Sequence, residues 1–394
     1  MTRIELNQPK SKDASAANAF LSGNLSQVDV SKIERELSSL WDSVSQGENE
    51  GPVIKACALN IVLLTEEGDQ TKFDQLLSEI TFRHPCRAIL AVVASARGAS
   101  AIEAWVSARC HFLPGRTDKQ MCCEQITVKF SGEEFKSEIL ASVITPLVIP
   151  DLPSWLFLGT SQHGLDLAPF LTYLDHVLID SRMCGLDRAL LMRELDASLS
   201  LSQDVVVVDL AWLTITPWRT AIALAFDEED VAISAGCLST ISNVKVTYRG
   251  SLSQALLLAS WLAARLARKF KSADGSCLRF DGEHGDLLIE LCQDDSVCVS
   301  DGLANVAIDF HPVGCCNTTE TLSISYQSGA LKVVCGDKSE FVQLPYSKAR
   351  LDCGSQSIPE LVDQALELTK KDSIYEESAK LARLLLGERS FNSP

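Results

Sequence analysis

The densest run of residues that could do chemistry is Arg83-His84-Pro85-Cys86-Arg87. Two arginines beside a thiol lower its pKa and favour a nucleophile, which would make Cys86 a catalytic cysteine with His84 as its base. Arg83, His84 and Arg87 could instead bind an anion such as a sugar phosphate. The third interpretation is a structured turn in which Cys86 packs inward. We favour the turn, because a nucleophile also needs a positioned base and an oxyanion site.

A second run, residues 209–219, combines two tryptophans with an arginine, the residue types that dominate protein–protein hot spots. Thr216 followed by Pro217 is also a typical helix start, so Trp218 and Arg219 could be first-turn residues that pack on the core.

A long apolar helix predicted over 251–270 adds a stripe of Gln254, Leu258, Trp261, Arg265 and Arg268 at whole-turn spacing. The alternative is that Trp261 fills the core and the arginines pair with local acids. As partner-binding residues we predict Trp212, Trp218, Arg219, Trp261, Arg265 and Arg268.

Sequence signatures of catalysis and cofactor binding are missing. There is no G-x-x-x-x-G-K-[ST], no G-x-G-x-x-G, no G-x-S-x-G and no H-E-x-x-H. No C-x-x-C occurs, and no two histidines stand at zinc-ligand spacing. We therefore predict no catalytic residue, no metal and no cofactor.

The composition is that of a globular protein with a strongly acidic surface. The chain has 394 residues, 46% of them hydrophobic, and a formal net charge of −17. Such a surface repels phosphate backbones and anionic lipid, so neither nucleic acid nor a membrane is an expected partner. The N-terminal segment has no apolar stretch of signal-peptide length, and we expect a cytoplasmic protein.

Fourteen cysteines are scattered along the chain. In the cytoplasm they should remain reduced thiols, most of them packed as small buried side chains. In the adjacent pairs Cys122-Cys123 and Cys315-Cys316 we expect one residue of each to be exposed, because neighbouring strand residues face opposite ways.

Hydrophobic periodicity predicts two lobes. Residues 1–28 are polar and aperiodic and predict a flexible tail. Residues 29–245 alternate strands and helices and predict an α/β sheet domain. Apolar residues recur at helical spacing over 30–44, and a strand–helix–strand unit follows over 53–94. Residues 246–394 pair the long helix with short strands and two closing helices, which predicts an α+β domain with a mostly antiparallel sheet.

Five runs stand in an order that we recognise: RHPCR at 83–87, CCEQITV at 122–128, PLVIPDLPSWLFLG at 146–159, DLAWLTITPWR at 209–219 and ASWLAARL at 259–266. Together they resemble the glucose-6-phosphate dehydrogenase assembly protein family, also called OpcA. The similarity runs from about residue 53 into the C-terminal helices.

The resemblance implies a partner without chemistry of its own, which would assemble and allosterically activate glucose-6-phosphate dehydrogenase in the oxidative pentose phosphate pathway. Activation of this kind needs no active site, since preferential binding to the active form shifts the population. Two alternatives stay open from the residues: a sensor of sugar phosphates or other anions, and a cysteine-dependent enzyme that uses Cys86 and His84.

Overall fold

The computed structural model describes most of the chain. The described residues are 21–22, 26–45, 53–94, 100–112, 120–132, 136–159, 166–227, 235–282, 285–297, 301–312, 318–327, 330–336, 338–343 and 357–392. Contacts between residues divide the chain into two compact units, Met1–Ile179 and Asp180–Pro394.

The first unit is built on a mixed sheet. Its strands are β1 Leu21–Ser22, β2 Ser26–Val28, β3 Val53–Lys55, β4 Leu59–Glu66, β5 Cys86–Ala94, β6 Ala101–Phe112, β7 Gln120–Ser131, β8 Ser154–Leu158 and β9 His176–Ile179. The order is β1-β6-β7-β5-β4-β8-β9, with β2 also on β6 and β3 on β7. Strands β7, β5, β4, β8 and β9 run parallel, and β6 is antiparallel to β7. The helices are α1 Ile33–Ser45, α2 Gln70–Arg83 and α3 Ser137–Ile144.

The predicted strand–helix–strand unit is confirmed by β4, α2 and β5. Strand β4 is almost wholly buried and pairs in parallel with β5, and α2 makes the crossover between them. Helix α2 turns Phe73, Leu77 and Ile80 inward, each at most 1% exposed. A continuous apolar strand beside an amphipathic helix is what such a crossover requires, because the parallel strands are covered on their faces.

Two boundaries differ from the sequence prediction. Residues 53–64 form two strands, β3 and β4, rather than one, and β3 pairs with β7 while β4 pairs with β5 and β8. In the predicted tail, residues 1–20 lie outside the described residues, but β1 and β2 pair with β6. The tail prediction is therefore wrong for these two strands, which gain sheet hydrogen bonds that no local pattern signals.

Two cysteine predictions, that the thiols are reduced and that one residue of the pair Cys122-Cys123 is exposed, are wrong in this unit. Cys110 and Cys122 oppose each other on β6 and β7 and form a disulfide, where we expected reduced thiols. Cys122 and Cys123 are both 0% exposed, because β7 lies inside the sheet and both its faces are covered. The pair Cys315-Cys316 lies outside the described residues.

The second unit combines helices with a sheet of eight described strands. The elements up to the sheet's first strand are α4 Arg188–Leu201, β10 Val206–Asp209, α5 Leu210–Thr214, α6 Thr216–Asp227 and β11 Asn243–Arg249. Then follow α7 Leu252–Arg265, β12 Lys269–Asp274, β13 Cys277–Asp281, β14 Leu287–Gln293, β15 Gly302–Phe310, β16 Glu320–Gln327, β17 Ala330–Cys335, β18 Lys338–Gln343, α8 Ile358–Leu366 and α9 Ser373–Leu386. The sheet order is β12-β13-β14-β11-β15-β16-β17-β18. Apart from the parallel pair β11-β14, the pairs are antiparallel.

The predicted fold class is confirmed: the chain is a two-part α/β protein whose C-terminal sheet is mostly antiparallel. The boundary lies at residues 179/180, earlier than the 245/246 expected from the sequence. The expected boundary would cut β11, which pairs with β14 on one side and β15 on the other. Helix α4 also belongs to the second unit, where Ser198 meets the Tyr375 hydroxyl of α9 at 2.8 Å.

The long helix is shorter than predicted. Helix α7 ends at Arg265 instead of residue 270, and Ala267 just beyond it has a φ of 52°. A left-handed residue at this point ends the helix and lets the chain enter strand β12.

Candidate functional site

Arg87 lies on β5, and its guanidinium is bonded to two carboxylates and a backbone carbonyl. Its guanidinium donates to Glu124 (2.8 Å from Nε), to Glu34 (2.5 Å from Nη1) and to the Leu147 carbonyl (2.9 Å). Lys55 forms a further ion pair with Glu124, and the Trp41 indole nitrogen donates to Glu124 at 2.6 Å. This set, which we call the Arg87 cluster, joins α1, β3, β5 and β7 within the first unit.

Burial is the largest influence on the pKa values in the Arg87 cluster, but the partners outweigh it. Burial alone would lower the pKa of Arg87, and the bonds and charges of Glu34 and Glu124 raise it instead. Burial would raise the pKa of Glu124, and its bonds to Lys55 and Trp41 together with the Arg87 charge hold it below its usual value. Arg87 is therefore committed to internal carboxylates, and its prediction as an anion-binding residue is wrong.

The other residues of the first motif do not form a catalytic site. Cys86 is 0% exposed, and burial raises the pKa of its thiol well above the usual value. A thiol that no substrate can reach is not a nucleophile, so inward packing is confirmed for Cys86, and its burial argues against the interpretation as a catalytic cysteine. Arg83 ends α2 on the surface and His84 follows it half-buried. Anion binding by Arg83 and His84 stays a prediction.

In the second unit, Trp212 lies at the centre of a group of aromatic and polar side chains. Asp209 caps α5 by accepting from Ala211 N at 2.9 Å, and this places Trp212 in the first turn. The indole nitrogen donates to the Asp372 carboxylate at 2.8 Å, and the ring of Tyr375 lies 5.7 Å away. Trp212 is only 3% exposed, so it supports neighbouring residues rather than presenting a surface.

Arg219 covers the Trp212 ring, with its guanidinium carbon 3.5 Å from the ring centroid. It is half-buried on α6, and Nη2 donates to the Thr216 hydroxyl at 2.8 Å. Its buried Nε has no hydrogen-bond partner among the described residues, and none of their carboxylates pairs with it. Burial lowers the pKa of Arg219 to about 10, against the opposing charge of Asp372.

The remaining predicted contact residues divide into buried and accessible ones. Trp218 is 6% exposed and Arg268 is 7% exposed; Arg268 donates to the carbonyl of Gly285 at 2.6 Å. With Trp212, which is 3% exposed, these two are core residues, which corrects their prediction as surface contacts. Trp261 is half-buried and Arg265 is exposed, paired with Glu377 of α9. Trp261, Arg265 and Arg219 remain predicted contacts.

The predicted stripe on α7 is not a continuous surface. Gln254 and Leu258 are 5% and 1% exposed, and Gln254 donates to the Thr214 hydroxyl at 2.6 Å. The helix is covered along most of its length, so only its C-terminal turn reaches the surface.

Sequence reasoning missed a set of acids in the second unit. Asp209 is 0% exposed, and its Oδ1 accepts from the backbone nitrogens of Ser181 and Ala211 at 3.1 and 2.9 Å. Burial raises the pKa of Asp209 to about 6, and burial with the Asp209 charge raises that of Glu194 to about 7. Asp180 is instead paired with Arg182 through two bonds of 2.7 Å. The sequence signal that could have indicated this set is Asp209 itself, an aspartate between an apolar strand and a helix.

Metal ligands and membrane-spanning helices are the next two features of the described residues. Across the described part of the chain, no set of three His, Cys, Asp or Glu side chains is arranged to hold a metal ion. Among the helices that the structure describes, none has the length and apolar character needed to cross a membrane.

Comparison with protein families decides the relationship. Residues 77–193 match the model described as the glucose-6-phosphate dehydrogenase subunit N-terminal domain. Residues 205–379 match the model of the corresponding C-terminal domain. The chain belongs to the OpcA family. The family model describes its members as a subunit of the dehydrogenase, and the recognition from five sequence motifs is confirmed.

Proteins named OpcA are among its relatives, and their names assign them provisionally to the OxPP cycle. The Synechocystis sp. protein is 27% identical over 191 residues, covering 48% of this chain and 38% of the relative. The Synechococcus elongatus protein is 22% identical over 329 residues, covering 80% and 71%. The match thus spans well under half the length of the first of these OpcA relatives.

Solved structures show a weak likeness. An oxidoreductase from Sinorhizobium meliloti has a TM-score of 0.46 at 9% identity, over 86% of this chain and 98% of its own. An oxidoreductase domain protein from Kribbella flavida gives the same TM-score at 11% identity, over 86% and 98%. Likeness at this level carries no information about the function of an OpcA family member.

Proposed function

We propose that this OpcA family member is a non-catalytic partner of glucose-6-phosphate dehydrogenase that promotes its assembly and allosterically activates it in the cytoplasm. The observation that supports this proposal is the pair of family matches, which together fall on both units of the chain. The first sequence motif adds indirect support. Its thiol Cys86 is buried and Arg87 is paired with Glu124, so neither of these two groups is available for chemistry.

Activation without an active site follows from linkage. A protein that binds the active dehydrogenase assembly more tightly than the inactive one shifts the population by that difference in affinity. A shift from 1:99 to 99:1 requires about 5.5 kcal/mol of differential binding. One protein–protein interface can supply this much.

Arg219 is the residue that we place at the centre of the contact. Its guanidinium carbon lies 3.5 Å from the centroid of the Trp212 ring, and the side chain is partly desolvated without an ion-paired carboxylate in the described chain. A carboxylate brought by another protein would supply the missing charge through planar hydrogen bonds. Arg265 and Trp261 on α7 are secondary candidates, since Arg265 already has Glu377 as a partner.

The first experiment is an activity titration. Purified dehydrogenase is assayed with increasing amounts of this chain, and its oligomeric state is followed by light scattering. We expect activity and the assembled fraction to rise together and to saturate. Unchanged activity and unchanged mass at about 100 μM chain would contradict the proposal, because a dissociation constant above this concentration is too weak for a stable complex.

The second experiment locates the contact. Arg219→Gln should raise the half-saturating concentration about tenfold or more, because a charge-assisted bond contributes about 1.5–3 kcal/mol. Arg193→Gln is the matched control, since Arg193 is an exposed arginine of α4. Equal half-saturation for both variants would exclude Arg219 from the contact.

A thermal-shift titration with sugar phosphates tests the alternative function, which is that of an anion sensor. A stabilisation that saturates with ligand, and that Arg83→Gln removes, would favour an anion sensor over a purely protein-binding role. We expect no such shift.

A further inference from the structure

Asp209 is a buried carboxylate of which only one oxygen is bonded. The residue is 0% exposed, and its Oδ1 accepts from the backbone nitrogens of Ser181 and Ala211 at 3.1 and 2.9 Å. The other oxygen, Oδ2, is buried and has no hydrogen-bond partner among the described residues. An ionised carboxylate in the interior is costly unless donors or a cation reach it. A positive group bound at Oδ2 would remove this cost.

A second buried oxygen lies beside this carboxylate. The Ser181 side chain is also 0% exposed, and within the described chain its Oγ forms no hydrogen bond. Because the Ser181 backbone nitrogen donates to Asp209 Oδ1, this residue is held next to the carboxylate. Its hydroxyl comes close enough to lower the pKa of Asp209, but without the geometry of a hydrogen bond. One anionic and one neutral oxygen therefore lie side by side in the interior.

The charged groups around Asp209 do not supply a cation for it. Arg182 is close enough to interact with the Asp209 charge, but its guanidinium donates two bonds of 2.7 Å to Asp180. The other titratable groups that interact with Asp209 carry no positive charge: Asp180 and Cys184 from the turn Ser181–Cys184, Glu194 from α4 and Tyr375 from α9. A site among acids of this kind attracts a small cation.

The donor atoms indicate which class of cation fits. Zinc takes four His, Cys or carboxylate ligands, and calcium takes six to eight oxygens with several carboxylates among them. In the described part of the chain, no three His, Cys, Asp or Glu side chains are arranged to hold a metal ion. One carboxylate oxygen and one hydroxyl instead match an ion of single charge, whose remaining ligands can be water.

We propose that Asp209 and Ser181 bind an alkali-metal cation, Na⁺ or K⁺, inside the second unit. Asp209 Oδ2 supplies the negative charge, and Ser181 Oγ supplies a neutral ligand. At neutral pH the ion takes the place of the proton that the buried carboxyl would otherwise keep. The turn Ser181–Cys184 contacts α4, α5 and α7, so the ion stabilises the packing of these three helices around the turn.

The test is thermal unfolding of the full chain at about pH 7 in NaCl, KCl and choline chloride. All three salts are compared at equal ionic strength, so that screening of the acidic surface is the same in each. Choline is too large for a site between two side chains. We expect NaCl or KCl, at about 100 times its dissociation constant, to raise the melting temperature by about 5–10 °C over choline chloride.

The advantage of the alkali cation should disappear at about pH 4. Burial raises the pKa of Asp209 to about 6, so at pH 4 the carboxyl is neutral and no longer holds a monovalent ion. A cation preference of equal size at both pH values would mean that the ion binds at another place, and it would overturn the proposal.

Two variants test the two ligands separately. Ser181→Ala removes the hydroxyl and keeps the charge, and it should raise the half-saturating cation concentration about tenfold. Asp209→Asn removes the charge and should abolish the difference between the salts. Asp187→Asn is the matched control and should keep the full difference, because Asp187 caps α4 through Leu190 N at 2.9 Å but is exposed.

Circular dichroism verifies that the variants fold, and if Asp209→Asn does not, Ser181→Ala decides the outcome. Equal melting temperatures of the natural chain in all three salts at pH 7 would overturn the proposal, since Asp209 then keeps its proton or binds only water. A preference for Na⁺ or K⁺ that is unchanged in the folded variants would also overturn it. None of these results affects the proposed function, in which Asp209 has no part.

Discussion

Two regions of the molecule differ in whether their buried charges form ion pairs. In the Arg87 cluster, every charge meets an opposite charge: Arg87 binds Glu34 and Glu124, and Glu124 also binds Lys55. In the second unit, neither Arg219 nor Asp209 forms an ion pair among the described residues, and Asp372 and Arg182 act on them only through the field of their charges. Their pKa values move accordingly, to about 10 for Arg219 and to about 6 for Asp209, both because of burial.

This difference distinguishes charges that stabilise the fold from charges that could bind another protein. A compensated charge network fixes the elements that it joins and has nothing left to offer a ligand. An uncompensated charge lowers the stability of the isolated chain and gains most from a partner that supplies the missing charge. Sequence motifs do not distinguish the two, since both regions are rich in arginine beside aromatic or polar residues.

The largest expected effect is in the Arg87 cluster. Arg87→Met leaves the Glu124 carboxylate, 3% exposed, with only Lys55 and Trp41 as partners. We expect a loss of about 3–5 kcal/mol in the urea-unfolding free energy, the usual cost of removing one partner of a buried ion pair.

The control is the double variant Arg87→Met with Glu124→Gln. It removes both charges and should recover a large part of the loss, because no carboxylate then stays buried without its partner. A double variant as unstable as the single one would show that the cluster does not act as an electrostatic unit.

The disulfide beside the cluster should have the next largest effect. Cys110 and Cys122 are 12 residues apart, and closing a loop of roughly this length in the unfolded chain is worth about 3 kcal/mol. Replacing both by serine should lower the unfolding free energy by about 2–3 kcal/mol. A reductant should destabilise the natural chain and leave the double serine variant unchanged; equal sensitivity of the two would contradict the prediction.

A smaller effect concerns pH and the unpaired Asp209. Its pKa is raised by folding, from 3.8 to about 6, so the folded state holds the proton more tightly than the unfolded state. This contribution is fully present below about pH 4 and is lost as pH rises through about 6. Asp209→Asn still caps α5 but cannot ionise, so its stability relative to the natural chain should rise by about 2 kcal/mol between pH 4 and pH 7.

Thermal unfolding of both chains across this pH range measures that difference. Asp187→Asn is the matched control, because Asp187 caps α4 through Leu190 N at 2.9 Å but is exposed. A pH-independent difference for Asp209→Asn would mean that Asp209 is ionised throughout and that a cation compensates it.

The smallest expected effect is on the stability contributed by Arg219. Replacing it by methionine loses a stacking contact with Trp212 worth about 1–2 kcal/mol, but also removes a desolvated charge without a counter-ion. We expect the two to cancel to within about 1 kcal/mol, measured beside Arg193→Met. A loss above about 3 kcal/mol would show that Arg219 is compensated like Arg87 and would remove the contrast between the regions.

Local patterns in the sequence determined most of the secondary structure. The apolar runs gave β4 and β5, and the 3.6-residue period gave α1 and α2 with nearly correct bounds. Ser357 and Glu360 have the spacing of a capping box, and the Ser357 backbone nitrogen donates to the Glu360 carboxylate at 3.2 Å. These features depend on residues a few positions apart, which is the range over which sequence periodicity carries information. The family was also recognisable, because its motifs keep their order along the chain.

The tertiary structure alone decided which charges are paired. Arg87 and Glu124 are 37 residues apart and meet because β5 and β7 are parallel neighbours in the sheet. Trp212 and Asp372 are 160 residues apart and meet within the second unit. The boundary between the units lies after residue 179 instead of the predicted 245, because β11 pairs with strands that come later in the chain. Contacts over such separations depend on how strands and helices assemble. Two arginine-containing motifs that look alike in the sequence therefore differ in the structure: Arg87 has carboxylate partners, and Arg219 forms no ion pair among the described residues.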